Sequence, residues 1–233
     1  MIPWSLVDTA QVPGTAGVLR LMRRGAEFSI RLGDNDLMNS RLGGSEAALA
    51  TMACERIRAR ERPRLLIGGL GMGFTLRAAQ AVLGTSAQIV VAELVPAVVA
   101  WARGPMAAVF GESLADPRVR IHEADVVDLI RHGPSAFDAI LLDVDNGPAG
   151  LTRKDNDRLY SLAGLSASHT ALNPGGVLAV WSSGPAPRFA RRLRQAGFLV
   201  DEVMVRANAA GGGVRHVIWI ATRAKPEPKQ TTG

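Results

Sequence analysis

The chain has little cysteine, lysine or histidine and no long apolar run, and each shortage excludes something. Cys54 is the single cysteine, so a disulfide framework and a cysteine-built metal cluster are both excluded, and a reducing cytoplasm is the expected compartment. No apolar run approaches the roughly 18 residues needed to span a bilayer, and Met1 to Gly14 lacks the basic start and apolar block of a signal peptide. Membrane insertion and export are not expected. Lysine occurs only at Lys154, Lys225 and Lys229, so arginine carries the formal charge of +6. Of the two arginine concentrations, Arg56 to Arg64 has no aromatic and Arg188 to Arg194 has the single Phe189, so neither offers a series of interleaved aromatics for base stacking. They read as solvated helix surfaces, which argues against a nucleic-acid partner. His122, His132, His169 and His216 form no i, i+4 pair, and no metal is expected. The hydrolase elbow Gly-x-Ser-x-Gly and the phosphate-loop lysine signature are both missing.

What is present is enough for one α/β domain with a small appendage: 233 residues, 47% hydrophobic and 21% charged. From Pro63 onward, short β-branched runs alternate with helical stretches, the pattern of a parallel sheet covered on both faces. Strands are expected at Arg64–Gly68, Gln88–Glu93, Arg118–Glu123, Phe137–Asp143 and Gly176–Trp181. Helices are expected at Gly73–Leu83, Pro96–Phe110, Val126–Arg131, Asn156–Leu172 and Pro187–Ala196, with Asn173-Pro174-Gly175-Gly176 as a helix-ending turn. Two further runs, Phe198–Val205 and Val214–Thr222, read as a C-terminal hairpin. The outline is α/β: a Rossmann-like class I methyltransferase fold, a mostly parallel seven-stranded sheet with one antiparallel strand at the C-terminal end.

Before this unit, Val18–Met22 and Glu27–Leu32 read as short strands, and Ser45 as the N-cap of a helix running to about Arg60. The expected organisation is a small N-terminal β element over 1–44, a nucleoside-binding domain over 45–224 and a disordered tail over 225–233.

The chemistry concentrates at one edge. The first strand of the large sheet runs into Gly69-Leu70-Gly71-Met72-Gly73, followed at once by a helix. Such a loop lets the backbone approach a ligand beside a helix N-terminus. Glu93 ends the next strand about 20 residues later, where a carboxylate accepts from ribose hydroxyls. Asp125 follows the third strand, where it can also cap the helix beginning at Val126, and Asp143 ends the fourth. Asp145 and Asn146 lie just beyond. Paired carboxylates at Asp143 and Asp145 suit an amine, because they favour its cation and can take its proton.

The stretch from Leu65 to Trp181 resembles the spermidine synthase group of aminopropyltransferases. The segments GGLGMGFTLRAA, VVAELVP, DPRVRIHEAD and FDAILLDVDNGP carry the resemblance, in order. It implies that Glu93, with Leu94 beside it, binds the ribose of an S-adenosylmethionine-type nucleoside, that Asp125 and Val126 hold the adenine, and that Asp143 removes the proton from an attacking amine. It also implies a small amine acceptor, with Asp145 and Asn146 on the acceptor side, and homodimerisation as the family's habit. Two departures stand out. The family's loop aspartate, which holds the terminal ammonium of decarboxylated S-adenosylmethionine, is Met72 here, and the family's YHE segment has no tyrosine or histidine counterpart in Gly43-Gly44-Ser45-Glu46. The donor is therefore expected to be S-adenosylmethionine or its decarboxylated form. The alternatives are a methyltransferase acting on a small molecule or RNA, and a non-catalytic nucleoside-binding homologue.

Overall fold

The structure is a computed structural model, and residues 2–144, 158–207 and 213–226 are described. It has two sheets. The N-terminal one is antiparallel with four strands in sequence order: β1 (Ser5–Gln11), β2 (Val18–Arg24), β3 (Glu27–Leu32) and β4 (Asn35–Asn39). The sequence reading expected only β2 and β3. β1 was missed because five of its seven residues are polar or small and six are exposed, so it has no buried face to read. β4 follows Gly33 and Asp34 directly, and the turn expected to include Asn35 already becomes strand there.

α1 (Gly44–Ile57) leads into the second sheet, made of β5 (Arg64–Gly68), β6 (Gln88–Glu93), β7 (Val119–Glu123), β8 (Phe137–Leu142), β9 (Leu172–Ser182), β10 (Phe198–Arg206) and β11 (Arg215–Arg223). Their order is β10-β11-β9-β8-β5-β6-β7, and only β11 runs antiparallel to its neighbours. This is the expected seven-stranded sheet. Its central strands are apolar on both faces because helices cover both: every residue of β8 is buried. Alternation divides them between two cores, with Leu65 and Ile67 in one and Leu66 in the other. The first core lies under α1, α2 (Phe74–Val82), α3 (Pro96–Arg103) and the N-terminal sheet; the second lies under α5 (Val126–Arg131), α6 (Leu162–Ala171) and α7 (Pro187–Gln195). Cys54 sits in the first, where burial pushes its thiol up to about 12, so it acts as a packing group.

Several expected boundaries move, each for a local reason. The helix expected over Pro96–Phe110 breaks at Gly104-Pro105 into α3 and α4 (Ala107–Phe110), since a residue before proline avoids helical geometry and proline donates no hydrogen bond. α6 starts after Ser161, whose hydroxyl accepts from the Gly164 N–H; the first two residues of the expected helix, 156–157, lie outside the described residues. The Asn173–Gly176 turn lies inside β9 as a bulge: pairing passes from Phe137–Leu172 to Ala139–Val177, with Gly175 at φ +71°. Asp138 holds this end of the sheet together by accepting from Arg60, the Arg64 N–H and Asn173. The tail expected to be disordered is described only to residue 226.

Ser45 is not the N-cap of α1. That position is Gly43, which has no side chain to cap with; the helix begins at Gly44, so Ser45 lies inside its first turn, where its buried hydroxyl bonds Glu46 and His216 instead.

The N-terminal sheet is tied to the large one. Trp101 of α3, buried, donates through its indole Nε1 to Asp8 at 2.7 Å, and the hydrogen bond from Gly44 N–H to the Ala207 carbonyl fixes the start of α1. The small sheet thus stands beside the carboxyl ends of β5, β6 and β8, the edge where ligands of open α/β sheets bind.

Candidate active site

The turn after β5 is built from its glycines. The Gly69 N–H donates to the Ala92 carbonyl at 2.8 Å and the residue sits at φ +91°, where a Cβ would stand 2.8 Å from the Asp143 carbonyl oxygen. Only glycine allows the two strand ends to approach this closely. Gly73, at φ +72°, caps α2. The loop hangs on Glu93. One carboxylate oxygen accepts from the Leu70 N–H and the other from the Val95 N–H, both at 2.9 Å. Burial raises the Glu93 pKa, against the pull of the backbone N–H groups that favour its charged form. The residue read as a ribose ligand is therefore also the clasp of the glycine loop, a role its position at a strand end does not reveal.

Asp125 caps α5, its side chain accepting from the Val127 N–H at 2.9 Å, as the sequence allowed. Asp143 follows β8, its own N–H bonded to the Gly68 carbonyl and its Oδ2 accepting from the Thr75 hydroxyl at 2.7 Å. Its pKa is pushed up to about 7, first by burial and then by the negative charge of Glu46, with the Thr75 hydrogen bond opposing both. A carboxylate poised near neutrality suits general-base work.

A cavity of about 300 Å³ runs along this edge, and all ten of the described residues singled out from the sequence line it: Gly69, Leu70, Gly71, Met72, Gly73, Glu93, Leu94, Asp125, Val126 and Asp143. Asp145 and Asn146 lie outside the described residues. The remaining wall comes from places the sequence did not flag. The N-terminal sheet and its loops contribute Val12, Leu19, Ile30 and Met38, β9 contributes Trp181, and α1 contributes Glu46. Glu46 stands in the segment set against the family's YHE, but an acid in the first turn of a helix is already explained by the helix dipole, and Thr75 is one of many helix residues, so neither was singled out as a site residue. Among the described residues the lining includes no lysine, arginine or histidine, and no group of three His, Cys, Asp or Glu side chains could hold a metal ion.

A cleft bounded by a glycine loop, a strand-end glutamate and two further strand-end aspartates invites comparison with known proteins. No family model matches the chain. Over 133 aligned residues, 53% of this chain, it is 31% identical to the polyamine aminopropyltransferases of Mycobacterium tuberculosis and Mycobacterium bovis. That match spans only a quarter of those longer proteins, 25%. Among solved structures, the spermidine synthase of Thermotoga maritima superimposes with a TM-score of 0.72 over 95% of this chain and 74% of that one, at 16% identity. The chain has the spermidine synthase fold. A spermidine synthase bound to the transition-state analogue AdoDATO gives a TM-score of 0.71, and a probable spermidine synthase from Corynebacterium glutamicum gives 0.61. Part of the chain is thus similar in sequence to polyamine aminopropyltransferases, and the chain shares the fold of spermidine synthases, the similarity that the motifs carried. The divergence is visible at Met72, which packs in the first core beside the loop, 3% exposed. No described helix is long and apolar enough to cross a membrane.

Proposed function

We propose that this chain is an aminopropyltransferase-type enzyme: it binds the nucleoside of an S-adenosylmethionine-type donor in the cavity and transfers an alkyl group to a small amine. The amine nitrogen attacks the carbon attached to the sulfonium, the carbon–sulfur bond breaks with its electron pair going to sulfur, and a neutral thioether leaves. The surplus proton on the new ammonium passes to Asp143. Because the sulfonium is already an activated leaving group, aligning the nucleophile and removing its proton are what the protein must supply.

The observation that carries this reading is the charge of the cavity. Glu46, Glu93, Asp125 and Asp143 line it, with no basic side chain among its described residues. Such a lining favours a sulfonium and an ammonium. It gives the α-carboxylate of intact S-adenosylmethionine no counter-cation, so the decarboxylated donor fits better. Met72 favours the second reading, a methyltransferase using the intact donor, since the loop carboxylate expected to recognise the decarboxylated tail is gone.

Calorimetry of the purified protein with S-adenosylmethionine, its decarboxylated form and methylthioadenosine separates the two. The decarboxylated donor is expected to bind most tightly. Tighter binding of the intact donor would support the methyltransferase, and negligible heats for all three would end both readings.

A further inference from the structure

The four carboxylates of the cavity are not equivalent. Glu93 is committed to the Leu70 and Val95 N–H groups, Asp125 to the Val127 N–H, and Asp143 to the Thr75 hydroxyl. Glu46 has no salt bridge among the described residues, and its one hydrogen bond comes from its neighbour: Ser45 donates to its Oε2 at 2.6 Å. Ser45 is fully buried, and its oxygen lies 2.9 Å from Nδ1 of His216 on β11. Since the hydroxyl hydrogen is given to Glu46, the ring must donate to Ser45, which fixes the Nδ1–H tautomer. The imidazole is itself braced edge-on against Trp181, ring centroids 4.7 Å apart. Three elements distant in sequence thus hold one carboxylate in place.

That carboxylate stands where two spaces meet. A second cavity, of about 320 Å³, adjoins the first; Leu37, Met38, Glu46 and Trp181 line both. Asp143 feels the negative charge of Glu46 across the cavity, and a cation between the two relieves that repulsion.

We infer that Glu46 is the specificity-determining residue that selects a primary alkylammonium at the junction of the two cavities, with Ser45 and His216 as the positioning residues that hold its carboxylate there. The inference rests on the nucleoside-binding reading above and names what that reading leaves open after the loss of a loop carboxylate at Met72. The ammonium has two chemical sources, the tail of the donor or the amine acceptor, and the test distinguishes them.

The donor arm compares two neutral thioethers that differ in the terminal ammonium, methylthioadenosine and 5′-(3-aminopropylthio)-5′-deoxyadenosine, by calorimetry on the full chain. The acceptor arm measures 1,3-diaminopropane binding to protein saturated with methylthioadenosine. Glu46→Gln is expected to lower affinity about tenfold in one arm, with methylthioadenosine binding unchanged as proof of an intact fold. Ser45→Ala and His216→Asn are expected to lower it a few-fold in the same arm. Carbon and nitrogen NMR of the His216 ring in unliganded protein should find the Nδ1–H tautomer. Glu46→Gln leaving both arms at wild-type affinity would overturn the inference while the nucleoside reading stood; no methylthioadenosine binding by the wild type would bring down both.

Discussion

Replacing Asp143 by asparagine tests the electrostatics of the site without needing a substrate. The exchange keeps the shape and leaves an oxygen to accept from the Thr75 hydroxyl, and removes only the charge. In the folded chain the carboxyl titrates near 7 against an ordinary value of 3.8, through burial first and the Glu46 charge second. A folded-state pKa above the unfolded one stabilises the protein below the unfolded value, and that stability is lost as pH rises through the folded value. Between pH 5 and pH 7 the full shift corresponds to about 1.4 kcal/mol per pH unit, or about 3 kcal/mol. Asp143 is only half-buried and faces an open cavity, so solvent screening reduces this to about 1–2 kcal/mol. Urea unfolding of wild type and Asp143→Asn at pH 5 and pH 8 measures it as a double difference, in which groups that do not interact with Asp143 cancel. The variant should gain about 1–2 kcal/mol on the wild type as pH rises from 5 to 8. A difference between the two proteins that does not vary with pH would refute the account of a strained, poised carboxylate, and full turnover by Asp143→Asn would refute its role as base.

Other outcomes follow from the same geometry. Glu93→Gln leaves one of the Leu70 and Val95 N–H groups facing an amide NH₂; loss of about 1–3 kcal/mol in unfolding experiments and at least tenfold weaker methylthioadenosine binding are expected. Wild-type stability with weakened binding would mean that Glu93 is a ligand and no clasp. Thr75→Val removes the hydrogen bond that favours charged Asp143, so the pH–kcat/KM profile, which should rise through about 7 as the base deprotonates, should move to higher pH. An unmoved midpoint would detach Thr75 from the base. Gly73→Ala forces a side chain into φ +72° with its Cβ 2.5 Å from the Phe110 ring; thermal or urea unfolding should register a loss of about 2–4 kcal/mol.

Local pattern made the framework of the large sheet legible. The apolar runs ending at Gly68, Glu93 and Leu142 read as buried strands because both faces of a parallel sheet are covered, and the helices between them fix the crossover order. Gly69, Gly71 and Gly73 were legible as a tight turn because positive φ leaves glycine as its signature, and all three have it. Asp125 was legible as a cap because capping is a two-residue interaction. The remaining features arise from packing between elements far apart in the chain. Glu46 looks like a helix-start acid until α1 packs beside the sheet and turns it toward Asp143; Ser45 looks like its cap until β11, some 171 residues away, brings His216 to its hydroxyl. The N-terminal sheet closes the cavity through Leu19 of β2, Ile30 of β3 and Met38 of β4, apolar residues whose local pattern does not show what they face. The charge state of Asp143 depends on burial and on a carboxylate from another element, long-range quantities that no window of sequence contains.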